Sequence, residues 1–403
     1  MRIIKKDGTV EGWNGEKIKE AVYKAAARVN QYVEPDVLNK LVEKVHSCLI
    51  IDRDAPTKDL HKEVIHYLKY FGLTDVANSY QEYRDYKNTY AKSFEKVKDE
   101  ADNVLLLGDR ENANFDSSLV STKGSLIKGY LTKELYRQFY LSKEEKELTK
   151  RGDIYIHDMR DMLMGSVNCC LFDIGNVLKG GFSMSNVDYT EPTSVLSALQ
   201  VIGDITLVAT AQQFGGFSLS QLDMVLLPYC EKTLKKAHKQ AKHSFPDSDP
   251  SSWDLYAKQV LKDELKQGFQ SLELKLNTVP CSRGDFAFTT ISFGCWNAPQ
   301  WLGRYLNDTD LWILKEICSA IINTRMNGHG ENHKPVVFPK LIYLYEENYL
   351  SEFKEAREVF ELAIECSSEC LYPDFLSLTG DPEHNAVAQQ YVNHNQVVTA
   401  MGR

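Results

Sequence analysis

The sequence lacks the features that mark membrane, secreted and nucleic-acid-coating proteins. No apolar run in the 403 residues reaches the roughly 18 residues that a membrane helix needs, and the N-terminal MRIIKKDG has no apolar core of the kind that signal peptides carry. Acidic residues outnumber basic ones and give a formal net charge of -9, whereas neutralising nucleic-acid phosphates requires a basic face. We therefore expect a cytoplasmic protein that neither enters a membrane nor binds nucleic acid directly.

Cysteine pairs with metal-binding spacing are also missing. The chain has nine cysteines but no Cys-x-x-Cys pair, so a closed structural zinc site is not indicated. Because no export signal is present, thiols are predicted rather than disulfides. Two histidines lie four residues apart in NGHGENH at 327–333, yet the flanking glycines disfavour the helix on which a metalloprotease pair sits. We predict a loop there and no metal ligands in the chain.

Periodicity divides the chain into a small first unit and a larger second one. In residues 1–90 the Asp-Gly dipeptide at 7–8 favours a tight hairpin turn, and four amphipathic helical segments follow. Asn14 is the expected N-cap of the first helix, and Thr57 that of the third. The unit should combine a small hairpin sheet with a helical bundle, and the charged residues 91–110 should form a helical linker.

Residues 111–403 alternate long helical patterns with short β-rich ones. Amphipathic periodicity predicts helices near 194–213, 253–277, 311–326 and 353–370. Runs of β-branched and aromatic residues predict strands at 153–157, 286–293 and 336–345. Alternation of this kind is typical of an α/β unit whose strands are connected by crossover helices.

Residues from three parts of the first unit share a pattern with a known domain. They are IIKKDG at 3–8, Glu11, Asn14, Lys17, Ile18, Ala21, Thr57, Leu60, His61, Ala77, Tyr80, Tyr83 and Arg84. In these residues the unit resembles an ATP-cone, the nucleotide-sensing domain at the front of many ribonucleotide reductases. The resemblance implies ATP and dATP as allosteric effectors. It places the adenine and phosphate contacts at Lys5, Glu11, Asn14, Lys17, Thr57 and His61.

The chemistry of these residues suits an anionic ligand. Lys5 and Lys17 can meet phosphate oxygens as point charges, and Thr57 lies at the predicted start of a helix, where anions are favoured. His61 follows one turn later on the same helix. Taken singly, the hairpin reads as a solvated turn and His61 as a surface histidine. Because the matching residues occur together, in the order of the known domain, in three parts of the first unit, we favour the nucleotide site.

Seven motifs occur in a fixed order in the second unit. They are ENANFDS at 111–117, RGDIYIHD at 151–158, NCCL at 168–171, LKGGF at 178–182, QQFGG at 212–216, TTISFG at 289–294 and PVVFPKL at 335–341. In these motifs residues 111–403 resemble the class III, anaerobic ribonucleoside-triphosphate reductases. The resemblance implies a ten-stranded α/β barrel built from two half-barrels, of which this chain carries the first. It also implies reduction of ribonucleoside triphosphates to deoxyribonucleotides for DNA synthesis.

The resemblance assigns Cys169 as a catalytic thiol that faces the sugar. In the family a thiyl radical on another cysteine removes the 3′ hydrogen of the ribose. The position matching Cys169, on the first barrel strand, delivers hydrogen toward C2′ as the hydroxyl leaves as water, and formate or a small redox protein supplies the electrons. Without the family, adjacent cysteines in an apolar strand are more often buried hydrophobes. Because successive side chains of a strand point to opposite faces, we interpret Cys170 as structural.

Paired glycines at 180–181 and 215–216 leave two interpretations open, either as turns or as places where backbone approaches a nucleotide closely. Neither pair is followed by Gly-Lys-Ser or Gly-Lys-Thr, so neither forms a Walker-type phosphate loop. The NGHGENH loop at 327–333 is expected near the substrate.

The chain departs from the family at its last residues. It reads VVTAMGR at 397–403, where the family has the Met-Gly-Cys-Arg of its finger loop. From the resemblance we therefore expect this sequence to lack the thiyl cysteine, the second half-barrel, the zinc-binding cysteines and the glycine that stores the radical. A truncated reading frame, one half of a split enzyme and a degenerate copy kept for its sensor domain all remain open.

The resemblance also implies partners for the chain. They are the ribonucleoside triphosphate substrate, a second copy in a homodimer, a C-terminal half polypeptide if the gene is split, and a radical-SAM activating enzyme for the complete enzyme. The alternative function is a non-catalytic regulatory remnant that binds ATP or dATP.

Overall fold

The structure, a computed structural model, describes residues 2–5, 8–49, 54–106, 116, 118–165, 167–213, 215–281, 284–296, 304–334 and 336–389. The chain separates into two compact units, Met1–Asp99 and Glu100–Arg403. Every helix among the described residues is too short or too polar to cross a membrane.

A three-stranded sheet opens the first unit, with β1 (Arg2–Ile4) in its centre. β2 (Val10–Gly12) pairs with β1 antiparallel, as the hairpin pattern predicts. β3 (Ala55–Pro56) pairs with β1 in parallel. The sequence did not predict β3, because two residues are too few to show a periodic pattern.

Four helices complete the first unit and confirm the predicted bundle. They are α1 (Gly15–Arg28), α2 (Pro35–Leu49), α3 (Thr57–Tyr70) and α4 (Thr74–Leu106). Their apolar faces share one core, which contains Val22, Leu38, Leu41, Val64, Leu68 and Val76. Each of these side chains is at most 1% exposed, so the 3.6-residue periodicity of the sequence identifies the buried faces.

One predicted helix cap is confirmed and the other is wrong. The Asn14 side chain caps α1 by accepting hydrogen bonds from the backbone nitrogens of Glu16 and Lys17. At α3 the N-cap position belongs to Pro56, which makes no side-chain cap. The Thr57 hydroxyl donates instead to the carbonyl oxygen of Ile4 at 2.8 Å. Thr57 therefore ties α3 to β1 rather than satisfying the amides of its own helix.

The second unit contains the remaining helices and strands. In chain order they are α5 (Val120–Phe139), α6 (Lys143–Arg151), β4 (Cys170–Leu171), α7 (Ile174–Leu178), β5 (Phe182–Met184), β6 (Val187–Tyr189), α8 (Val195–Thr210), β7 (Phe217–Leu219), α9 (Leu222–Ser244), α10 (Pro250–Thr278), β8 (Thr289–Phe293), α11 (Asp308–Asn327), β9 (Lys340–Tyr345), α12 (Glu347–Glu352), α13 (Lys354–Cys370) and β10 (Asp374–Ser377). A short 3-10 turn lies at Met162–Met164.

Five parallel strands form the main sheet of this unit in the order β10-β9-β8-β7-β4. Helices cross over between successive strands, as the predicted α/β class requires. All five residues of β8 are buried, as expected for a strand covered on both faces. β5 and β6 form a separate antiparallel hairpin. The sheet has half the strands of the ten-stranded barrel that the resemblance implies.

The predicted strand at 153–157 is wrong. These residues form no strand, although the run of β-branched and aromatic residues Ile154, Tyr155 and Ile156 suggests one. Tyr155 is 83% exposed and Ile154 37%. Asp158 has a φ of 50°, in the left-handed region. High β-propensity alone does not make a strand when the segment pairs with no neighbouring strand.

Candidate functional site

In the first unit, one carboxylate holds two of the predicted phosphate-binding lysines. β2 places Glu11 beside the start of α1, where one of its oxygens contacts Lys17 Nζ and the other lies 2.7 Å from Lys5 Nζ. The hydrogen bonds from Lys17 and then Lys5 lower the pKa of Glu11 to about 2. The Lys5 and Lys17 side chains are 50% and 60% exposed, so a phosphate can reach them from solvent.

A cavity of about 650 Å³ lies in the same unit between α1, α3 and α4. Five cationic side chains and one carboxylate line it, namely Lys17, Lys24, Arg28, Arg84, Lys87 and Glu20. Of the predicted residues, Lys17, Thr57 and His61 also line this cavity. Lys5 and Glu11 join it through their ion pairs with each other and with Lys17. The cationic lining suits a polyanion of nucleotide size.

Two predicted residues have structural partners inside this unit. The Asn14 side chain caps α1, with its oxygen 3.0 Å from the Glu16 nitrogen. His61 Nδ1 lies 2.6 Å from the hydroxyl of Tyr80. Burial raises the pKa of Tyr80, and both side chains line the cavity.

Sequence reasoning missed the contribution of α4 to this cavity. The guanidinium carbon of Arg28 lies 4.1 Å from the centroid of the Tyr83 ring, and Lys87 Nζ lies 4.9 Å from it. Arg84 is half-buried, and burial lowers its pKa. Its Nη1 atom is buried without a hydrogen-bond partner. The spacing of Tyr80, Arg84 and Lys87 along one helix face was the available signal.

The second unit places the predicted thiol beside a glycine pair. Cys169 lies one residue before β4 rather than on the strand, which corrects the prediction, and its side chain is exposed. Its Sγ atom donates to Asn168 Oδ1 at 3.2 Å and accepts from the backbone nitrogen of Gly216 at 3.3 Å. Cys170 packs against the main core, and burial raises its pKa, in agreement with a structural role.

Gly215 must be a glycine because of how closely it approaches this thiol. A Cβ atom built on Gly215 would lie 2.2 Å from Asn168 Oδ1 and 2.4 Å from Cys169 Sγ. The buried Gln213 side chain donates to the carbonyl oxygens of Gly215 at 3.1 Å and Gly216 at 2.7 Å. The pair therefore approaches Cys169 closely, whereas its approach to a nucleotide stays a prediction.

The other glycine pair forms a turn. Gly180 and Gly181 have φ values of 81° and 84°, and they lead into the hairpin of β5 and β6. The Gly180 nitrogen donates to Glu191 at 3.0 Å, and Lys232 Nζ contacts the same carboxylate. For this pair the interpretation as a turn is correct.

The NGHGENH segment at 327–333 forms the predicted loop after α11, with its two histidines bound to different partners. His329 Nε2 lies 2.9 Å from Glu273, which also accepts from Arg325 Nη2 at 3.0 Å. His333 Nδ1 lies 2.7 Å from the carbonyl oxygen of Asn327. Among the residues that the structure describes, no three metal-binding side chains gather at one point.

A buried carboxylate that the sequence did not single out lies at the start of α9. Asp223 is fully buried, and its Oδ2 atom accepts from the backbone nitrogens of Gly294 at 2.8 Å and Cys295 at 2.9 Å. Burial raises the pKa of Asp223 to about 6, against the opposing effect of these hydrogen bonds. Asp223 thereby fixes the segment that leaves β8.

Comparison with known proteins connects both units to one enzyme family. The sequence profile described as anaerobic ribonucleoside-triphosphate reductase matches residues 111–403, and the profile described as ATP cone domain matches residues 1–89. The anaerobic ribonucleoside-triphosphate reductase of Salmonella typhimurium is 28% identical over 384 residues, which are 93% of this chain and 51% of that protein. Its counterpart in Enterobacteria phage T4 is 30% identical over 274 residues, which are 66% and 42% of the two chains.

Among solved structures, the anaerobic ribonucleotide reductase from Thermotoga maritima in complex with dATP and CTP aligns at a TM-score of 0.48 and 16% identity. The alignment covers 74% of this chain and 50% of that one. The chain spans about half the length of the curated relatives it matches.

Proposed function

Because the chain belongs to the anaerobic ribonucleoside-triphosphate reductase family, we propose that it supplies the nucleotide-regulated, thiol-bearing part of such an enzyme. The complete enzyme reduces ribonucleoside triphosphates to deoxyribonucleoside triphosphates. The observation that carries this proposal is the exposed Cys169 thiol held between Asn168 and the Gly216 amide, within the residues that match the family.

The first unit is the regulatory part of this proposal, and ATP and dATP are its effectors. The phosphates contact Lys5 and Lys17, which Glu11 already holds side by side. Arg84 adds a third cation whose buried Nη1 has no hydrogen-bond partner, and burying such a donor is costly until an acceptor arrives. Thr57 and His61 complete the contacts on the side of α3.

Cys169 is the catalytic residue of the second unit in this proposal. Its S–H bond is weak enough to give up a hydrogen atom, and the thiol also donates a proton. Cys169 supplies hydrogen to C2′ of the ribose while the hydroxyl leaves as water. The radical that starts the reaction comes from a glycyl radical outside the described residues, and formate or a small redox protein supplies the electrons.

The proposal includes the partners that such a reaction needs. A radical-SAM activating enzyme generates the glycyl radical, and a polypeptide with the second half-barrel and the zinc site completes the catalytic barrel where the gene is split. A second copy of this chain forms a homodimer. Each partner is testable by co-purification with the tagged chain.

Calorimetric titration of the full chain with ATP and dATP tests the regulatory part. Micromolar binding should be abolished by the double substitution Lys5→Ala and Lys17→Ala. The matched control is Lys19→Ala with Lys44→Ala, because both lysines lie in the same unit outside the cavity lining. Equal loss of binding in both double variants would contradict the assigned contacts.

A non-catalytic regulator is the second candidate function. It is favoured by one observation, that every residue lining the 650 Å³ cavity belongs to the first unit. The two candidates separate in one assay. Deoxyribonucleotide formation by the chain together with an activated C-terminal polypeptide supports the enzyme, and loss of that activity in Cys169→Ser ties it to this chain. Nucleotide binding without such activity supports the regulator.

A further inference from the structure

A second cavity, of about 490 Å³, lies entirely within the second unit. α5 forms one wall, the residues around the 3-10 turn form another, and the residues that follow α8 close it. Its volume lies within the roughly 300 to 1,000 Å³ that small-molecule sites occupy. We call it the α5 cavity.

The α5 cavity lies beside the predicted catalytic thiol. Val167 and Gln213 line it and pair with each other as an isolated parallel bridge. Cys169 follows Val167 by two residues, which is about 7 Å at the rise of about 3.3 Å per residue in extended chain. Gln213 also holds the backbone that donates to Cys169 Sγ, because its side chain binds the carbonyl oxygen of Gly216.

The charges of the α5 cavity favour an anion. Lys128 and Arg160 line it, and Asp161 is the acidic residue of its lining. Arg160 Nε donates to Asp161 at 3.2 Å, which holds the guanidinium, a group with five N–H donors, at the cavity wall. Gly129 lets α5 lie against the stem of Arg160, since a Cβ at Gly129 would be 3.3 Å from Arg160 Cδ.

We propose that the α5 cavity binds the phosphate groups of the ribonucleotide whose sugar lies at Cys169, with Lys128 and Arg160 as the phosphate-contacting residues. This inference rests on the proposed function and names the substrate contacts of that same site. Neither Lys128 nor Arg160 belongs to a glycine-rich phosphate loop. The site is built from an exposed helix face and an arginine held by its neighbours.

The α5 cavity and the Cys169 thiol share one backbone segment, from Val167 to Cys169, as expected if one nucleotide contacts both. A nucleotide that places its ribose over Cys169 must send its phosphates several ångströms away, and Val167, two residues from Cys169, lines the same cavity as Lys128 and Arg160. Arg160 recognises phosphate oxygens through paired N–H donors, whereas Lys128 acts as a point charge at the exposed rim.

The test is site-specific protection from chemical labelling in the full chain. Cys169 is labelled with iodoacetamide and Arg160 with phenylglyoxal, each with and without CTP, and the labelled peptides are quantified by mass spectrometry. CTP should slow labelling at both residues at least fivefold and leave Cys48, an exposed thiol of the first unit, unchanged. Cytidine without phosphates should protect neither residue at the same concentration.

Variants assign the effect to named residues. In Arg160→Gln and in Lys128→Gln the CTP concentration for half-protection of Cys169 should rise on the order of tenfold, as expected for loss of one charge-assisted hydrogen bond. Lys133→Gln is the matched control, because Lys133 is exposed on the same helix and does not line the cavity. Its half-protection concentration should match that of the unmodified chain.

The outcomes separate this inference from the function on which it rests. Protection of Cys169 without protection of Arg160, or equal CTP dependence in all variants, overturns the assignment of the α5 cavity and leaves the proposed function standing. Protection of Arg160 without protection of Cys169 contradicts the catalytic assignment of the thiol. Protection of neither residue overturns both.

Discussion

The backbone nitrogen of Gly216 lies 3.3 Å from the Sγ atom of Cys169, 47 positions earlier in the chain, and donates a hydrogen bond to it. The same peptide segment accepts two hydrogen bonds from Gln213, through the carbonyl oxygens of Gly215 and Gly216. Because β4 and β7 are paired in parallel, the thiol and the glycine pair stand at the same end of the sheet. The position of the thiol thus depends on the backbone of the glycine pair at 215–216.

Gly215→Ala should destabilise the second unit and displace Cys169. The new Cβ would lie 2.4 Å from Cys169 Sγ, and overpacking of this kind costs about 1–3 kcal/mol. Thermal unfolding should show a lower Tm, and labelling of Cys169 by iodoacetamide should change rate. Gly124→Ala is the control, because a Cβ there has no atom within 4 Å and alanine favours a helix by roughly 0.5–1 kcal/mol. Equal shifts of Tm in the two variants would refute the steric argument.

Arg325→Met should be among the most destabilising single substitutions in the second unit. Arg325 and Glu273 form an ion pair with side chains only 1% and 5% exposed, and Arg325 also donates to the carbonyl oxygen of Pro339. Removing one partner of a buried pair costs about 3–5 kcal/mol, because the other charge stays buried. Urea unfolding should show this loss as a lower free energy of unfolding.

Two companion variants test the cause of that loss. Arg151→Met breaks a pair with Asp153 in which both side chains are exposed, by 64% and 49%, and should cost no more than about 1 kcal/mol. Adding Glu273→Leu to Arg325→Met should restore part of the stability, since the buried carboxylate that has lost its arginine partner is then gone. If the double variant is less stable than Arg325→Met by the full cost of a second core substitution, the buried charge is not the cause.

Long periodic helices are the part of the fold that the sequence predicts well. The helix expected near 353–370 is Lys354–Cys370, and the one near 253–277 is Pro250–Thr278. The helix at Leu222–Ser244 was missed, because Pro228 lies inside it and its first half is buried on nearly all sides, which removes the amphipathic stripe. Short strands were also missed, since three or four residues leave little pattern.

Features of the candidate sites could be predicted from the sequence only where residues close together in the chain determine them. The Asn14 cap follows from a short stretch of sequence and a known backbone preference. The contact of Gly215 with Cys169 depends instead on the pairing of two strands far apart in the chain. The orientation of Arg84 into the first cavity depends on which face of α4 the core selects. Tertiary packing determines both the Gly215–Cys169 contact and the orientation of Arg84. Neither can be predicted from the local periodicity of the sequence.

Asp223→Asn should change how stability depends on pH. Burial raises the pKa of Asp223 from 3.8 to about 6, so between these pH values the folded chain binds more protons here than the unfolded chain does. Stability from this group is therefore greatest below pH 4 and is lost as the pH rises to 6. The raised pKa corresponds to about 3 kcal/mol.

Urea unfolding at pH 4 and pH 7 measures this effect. The free energy of unfolding of the wild-type chain, relative to that of Asp223→Asn, should fall by about 2 kcal/mol between the two values. Asp263→Asn, at an exposed position of α10, should keep a constant difference from the wild type. A constant difference for Asp223→Asn as well would show that the buried carboxylate does not titrate in this range.

Arg84→Gln should weaken ATP binding to the first unit on the order of tenfold or more. Its half-buried guanidinium lines the cavity, with Nη1 buried and without a hydrogen-bond partner, so a phosphate oxygen would satisfy a donor that already bears the cost of desolvation. Calorimetry should show the loss, and the remaining affinity should fall less steeply with salt, because one cation fewer meets the ligand. Lys62→Gln, an exposed change on α3 outside the cavity lining, should bind ATP as the wild type does. Unchanged affinity in Arg84→Gln would show that the phosphates contact Lys5 and Lys17 but not Arg84.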